Sequence, residues 1–121
     1  MNEFRFLDWP VYKDVKQIMQ EVFLVTSKFP QHFRIELGSQ LNRAAISILL
    51  NIAEGSGKSS DKDFSRFLNI AIGSIHETVA GLDIARDSKL ITDSDFNNFS
   101  SKLFNIAKQL GGFKKTLKKS F

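Results

Sequence analysis

The sequence predicts an all-α fold, an antiparallel up-down-up-down four-helix bundle, and three observations carry the prediction. Apolar residues recur at alternating steps of three and four along most of the chain, the seam spacing of packed helices. No segment alternates with period two for long enough to make a half-buried strand. The breaks between helical stretches are short and carry Pro30, Gly55, Gly57 and the polar run at 58–60. At 121 residues, 42% hydrophobic and 25% charged, the chain suits one domain, residues 1–121, with a core of its own.

Ahead of the first helix, Phe4, Phe6 and Leu7 have no helical phase, so residues 1–7 are expected to form an extended arm docked on the bundle or on a neighbouring subunit. Asp8 suits an N-cap and Pro10 the first turn of a helix over about 9–28, with Val11, Val15, Ile18, Val22 and Val25 on its seam. Pro30 disfavours a helical Phe29 and ends it. The second helix spans about 33–55 and should stop at Gly55-Ser56-Gly57, where glycine supplies a left-handed cap. Ser60 with Asp63 resembles a capping box before a third helix over about 61–88, with Phe64, Leu68, Ala71, Ile75, Thr78, Leu82 and Ala85 on its seam. Thr92 or Asp93 caps the fourth, about 93–118, whose seam runs through Phe96, Phe99, Leu103, Ile106, Leu110, Phe113 and Leu117. Gly111 and Gly112 weaken its last turns by about 1 kcal/mol each relative to alanine.

Residues 40–57, QLNRAAISILLNIAEGSG, are the stretch least like an ordinary surface helix. Leu41, Ala44, Ala45, Ile46, Ile48, Leu49, Leu50, Ile52 and Ala53 nearly surround the cylinder, which marks a helix covered on more than one side. A thin polar stripe of Arg43, Ser47, Asn51 and Glu54 interrupts them. One antiparallel register of the second and third helices sets Arg43 opposite Glu77, Ser47 opposite Gly73, Asn51 opposite Asn69 and Glu54 opposite Arg66. These residues therefore read as architecture, a register held by partnered charges and by close approach at a mid-helix glycine. The apolar surface of the second helix exceeds what one bundle core covers, so the chain is expected to self-associate.

Charge is segregated. The net charge is +4, yet residues 96–121 hold Lys102, Lys108, Lys114, Lys115, Lys118 and Lys119 and no acid, leaving a negative balance in the rest. Lys108, Lys114, Lys115, Lys118 and Lys119 are thus candidate contacts for the phosphate backbone of RNA or single-stranded DNA. The Phe residues are mostly seam positions and belong to the core, whereas Phe104 lies off the seam and is a candidate for an interface.

Several chemistries are excluded. With no cysteine there is neither a disulfide framework nor a thiolate metal site. Gly55-Ser56-Gly57-Lys58-Ser59 is not a phosphate loop, because Ile52 stands where the motif needs glycine and a helix precedes it. His76-Glu77 lacks the second histidine of a zincin, since Ala80 occupies that position. Neither His32 nor His76 belongs to a Glu-x-x-His pair, so a di-iron bundle site is unsupported, and neither follows an arginine closely enough for a helical endoribonuclease. No enzyme, cofactor or metal is expected. No apolar run suits a membrane span, and the acidic start MNEFRFLDW is unlike a signal peptide, so a cytoplasmic protein that is mature from Met1 and makes no membrane contact is expected.

The residues of the central stretch also carry a family resemblance. Phe29-Pro30, Gln40-Leu41-x-Arg43-Ala44-Ala45-x-Ser47-Ile48, Asn51-Ile52-Ala53-Glu54-Gly55 and Arg66-Phe67-Leu68-x-Ile70-Ala71-x-Gly73-Ser74-x-x-Glu77 resemble the four-helix bundle family encoded in intervening sequences of 23S ribosomal RNA genes. That family also includes the accessory variability determinant of diversity-generating retroelements. The resemblance implies a non-enzymatic protomer that assembles into a homopentamer. In the retroelement members the ring is basic and works with a reverse transcriptase and RNA. The chain departs from the family's common pattern at Phe33, Leu49 and Ile72, the last standing where a basic residue often precedes Gly-Ser.

Overall fold

The structure, a computed structural model, describes residues 3–118, with side chains through Leu117. A 3-10 turn at Arg5–Asp8 leads into helix α1, Pro10–Ser27. Helix α2 is built from Gln31–Phe33, a π-helical turn at Arg34–Gly38 and Ser39–Ser56, which follow one another without a break. Helices α3, Asp61–Asp87, and α4, Asp93–Lys118, complete the fold, and the described residues contain no strand.

The helix ends explain the boundaries and correct several expectations. The N-terminal arm is not extended. Leu7 N donates to Phe4 O and Trp9 N to Phe6 O, and the half-buried Phe6 ring rests edge-on against Tyr12 at 5.1 Å, so the arm is a turn packed on the start of α1. Asp8 belongs to that turn, and Trp9 is the residue flanking α1, with Pro10 at its first position. After Pro30 the chain becomes helical at once, at Gln31 and not at Phe33. Gly57 ends α2 with φ −91°, and no described glycine has positive φ. Gly55 serves packing instead: a Cβ there would lie 2.9 Å from Phe64 Cδ1 and from Phe67 Cβ. The left-handed residue is Lys89, φ 63°, just after α3, where Leu90 N donates to Ala85 O. Ser60 Oγ accepts from Asp63 N as expected, and Thr92 is the cap of α4, accepting from Asp95 N while Thr92 N donates to the Asp95 carboxylate.

The core follows the seams. Val15, Ile18 and Val22 of α1, Leu41, Ile48 and Ile52 of α2, Leu68, Ala71, Ile75 and Leu82 of α3, and Leu103, Ile106 and Leu110 of α4 are all buried together. Contacts between neighbours run in opposite order along the chain. Trp9 meets Phe113 and Glu21 meets Lys102, Gly55 meets Phe64 while Leu41 meets Gly81, and Asn69 meets Lys114 while Arg86 meets Phe96. So α4 runs against α1 and α3, and α3 runs against α2. Between α1 and α2 the buried Thr26 hydroxyl bonds to Asn42 Oδ1 at 2.9 Å beside the π turn.

Candidate functional site

The polar stripe of α2 meets α3 at one hydroxyl contact, Ser47 Oγ to Ser74 Oγ at 2.7 Å. Asn51 donates back to Ser47 O and Oγ, at 2.8 and 3.0 Å, and does not reach Asn69. Asn69 instead accepts from Lys114 of α4. The two predicted cross-helix ion pairs are not formed. Glu77 accepts from Gln40 Nε2 at 2.7 Å, while Glu54 lies 3.9 Å from Lys58 and Arg66 3.9 Å from Asp63 along their own helices. Arg43 is exposed and has no ion-pair partner among the described residues. The reason is exposure: charges left in water gain little from a cross-helix partner, and local neighbours at three or four residues are cheaper to reach.

Gly73 is equally unlike its expected role, since a Cβ there would meet nothing within 4 Å. The close approach between α2 and α3 occurs at Gly55 and at Gly81, where a Cβ would sit 2.6 Å from Leu41 Cδ2. Around the Ser47–Ser74 contact the outer face carries exposed apolar side chains, with Leu50 57% and Ile70 41% accessible. The position of Leu50 between Ser47 and Glu54 on the polar stripe is the sequence signal for this patch.

The candidate lysines lie on α4. Lys108 and Lys115 are exposed, Lys108 Nζ standing 5.7 Å from the centre of the Phe104 ring. Lys114 is held at Asn69, Lys118 ends the described helix, and Lys119 lies outside the described residues. Phe104 is 66% exposed and borders a groove of about 510 Å³ between α3 and α4, floored by Ile75, Val79 and Ala107. At the end of the bundle where α1 begins and α4 finishes, Trp9, Phe64 and Phe113 pack together at 5.2–6.2 Å beside Lys58 and Glu54.

His76 Nδ1 is satisfied by Ile72 O at 3.0 Å, and His32 lies against the Phe33 ring. No group of three metal-ligating side chains occurs among the described residues, and no described helix is long and apolar enough to cross a membrane.

Four helices around one apolar core define a helical-bundle protein. Residues 8–112 match the family of 23S rRNA-intervening sequence proteins, and the chain belongs to that family. A crystal structure from Bacteroides thetaiotaomicron, described as a protein of unknown function from the S23 ribosomal protein family, is similar at 25% identity. The similarity covers 87% of this chain and 98% of that one, with a TM-score of 0.74. Among curated proteins none matches the chain.

Proposed function

We propose that the protein is a non-enzymatic adaptor that self-associates, in the homopentameric form the family resemblance implies, and binds RNA or single-stranded DNA, a nucleic-acid enzyme such as a reverse transcriptase, or both. The observation that carries this reading is the one-sided charge of residues 96–121, which hold six lysines and no acid. Assembly would repeat those lysines in every subunit and multiply a modest charge into a surface able to release counterions from a phosphate backbone. Lys114, Lys115, Lys118 and Lys119 include like-charged pairs four apart, an unfavourable spacing that an anionic partner relieves.

The test is binding of RNA and single-stranded DNA titrated against salt, for the native chain and for one with these four lysines replaced by glutamine. Binding that falls steeply with salt, with a shallower slope in the variant, is expected. A native chain that retains nothing at low salt leaves the alternative reading, a self-assembling protein–protein module. The exposed patch at Leu50 and Ile70 favours that alternative.

A further inference from the structure

Packing within the protomer does not account for Phe104, which is 66% exposed while Phe96, Phe99 and Phe113 on the same helix are buried or half-buried. Its neighbours at three and four residues along α4 are Ser100, Ser101, Ala107 and Lys108, and the small ones leave the ring standing clear of its own helix. Beside it runs the groove of about 510 Å³ floored by Ile75, Val79 and Ala107, and no acid lines it. The acids of α3 at this level are engaged elsewhere: Glu77 accepts from Gln40 of α2, and Asp83 is paired with Arg86. The rim of the groove is polar. His76 Nδ1 lies 3.0 Å from Ile72 O, and a carbonyl only accepts, so Nδ1 carries the proton and the neutral ring keeps Nε2 as an acceptor. The Ser101 hydroxyl has no partner among the described residues and is able to donate or accept. Lys108 Nζ stands 5.7 Å from the centre of the Phe104 ring, and Lys115 lies two turns farther along the same face, about 10 Å at the rise of an α-helix.

We infer that Phe104 and this groove form a stacking site for an unpaired base of a single-stranded nucleic acid, with Lys108 and Lys115 the cations for its flanking phosphates. The inference rests on the nucleic-acid binding proposed above and adds to it a contact with the bases, which lysines alone do not supply. A base has two apolar faces and a hydrogen-bonding edge. The Phe104 ring and the aliphatic floor suit the faces, while His76 Nε2 and the Ser101 hydroxyl suit the edge, the first as an acceptor and the second with either polarity. A purely apolar partner would leave the lysines idle, whereas a phosphate backbone engages them while its base fills the groove. Stacking is tolerant of base identity, which fits binding that is largely independent of sequence. The aromatic cleft around Trp9, Phe64 and Phe113 is a poorer seat for a strand, since Glu3, Glu54 and Asp61 line it and its rings already pack on one another.

The experiment is titration by fluorescence anisotropy, at one low salt concentration, of labelled oligo(dT) and oligo(U), each against an abasic strand of the same sugar, length and charge. Backbone charge is matched within each pair, so the lysines bind both members alike and only a contact with the bases separates them. For at least one pair the native chain should bind the base-bearing strand at least about fivefold more tightly than its abasic partner. Phe104→Leu keeps apolar bulk without an aromatic face and should bring that ratio toward one, whereas Phe104→Tyr should retain it. Molar mass by light scattering should be the same for the native chain and both variants. Equal affinity of the native chain for base-bearing and abasic strands overturns the inference and spares the lysine contact. A ratio that Phe104→Leu leaves unchanged overturns it too, as does a changed molar mass in that variant, which would make the groove a protein contact. A native chain that binds no strand at low salt removes the nucleic-acid reading itself, and this site with it.

Discussion

Lys89 has a left-handed backbone conformation that is costly for a residue with a side chain. Its φ of 63° places a Cβ where L-residues are crowded by the following carbonyl, and the turn after α3 still needs that conformation for Leu90 N to reach Ala85 O. Lys89→Gly should therefore raise unfolding stability by about 1 kcal/mol, read as a higher midpoint in urea with an unchanged slope. An unchanged or lower midpoint would show that the lysine side chain compensates for its backbone. The same residue illustrates what one letter hides. Glycine at 55, 73 and 81 looks alike in sequence, yet Gly55 and Gly81 are fixed by aromatic and leucine side chains while Gly73 faces open space. The left-handed cap expected at the glycines that end α2 is absent there, where Gly57 has φ −91°, and the left-handed residue closes a different helix, α3, at Lys89.

At the level of elements, periodicity carried nearly everything. The middles of the seams of α1, α3 and α4 are buried where alternating threes and fours place them, the end positions Val25, Phe64, Phe96, Phe113 and Leu117 are partly buried against that core, and both Ser60 and Thr92 cap their helices. What periodicity could not convey is the π turn at Arg34–Gly38. Phe33, Leu37 and Leu41 recur at fours only, which drifts around an α-helix, and one wider turn keeps them facing inward without changing the apolar pattern. Ionic register was illegible for a different reason: any two mixed polar faces can be slid into a match, and exposed charges then choose their nearest neighbours. Thr92 and Asp95 are legible and also testable, because each satisfies the backbone donor of the other. Thr92→Ala should cost about 1 kcal/mol, and adding Asp95→Ala should cost less than the two single losses together. Strict additivity in thermal or urea unfolding would separate the two bonds into independent caps.

On the scale of the whole molecule, the two surfaces left over by the core differ in chemistry and in place. The face of α2 and α3 is electrically balanced around Leu50 and Ile70, whereas α4 bears Lys108 and Lys115 with no acid beyond Asp95. If the chain self-associates and α4 binds nucleic acid, the two functions are linked through charge multiplication alone. Each phosphate neutralised on a single strand contributes about −0.7 to the slope of log affinity against log salt, so an assembly engaging lysines from several subunits must be more salt-sensitive than one protomer. Dilution tests this, since it alters no charge and leaves every lysine in place. A dissociated protomer should bind RNA or single-stranded DNA more weakly and with a shallower salt slope than the assembly. Binding measured by fluorescence anisotropy across a salt series, alongside molar mass at the same concentrations, reads both quantities at once. Equal slopes for the assembled chain and the dissociated protomer would confine the contact to the lysines of a single α4, and assembly would then serve some purpose other than binding.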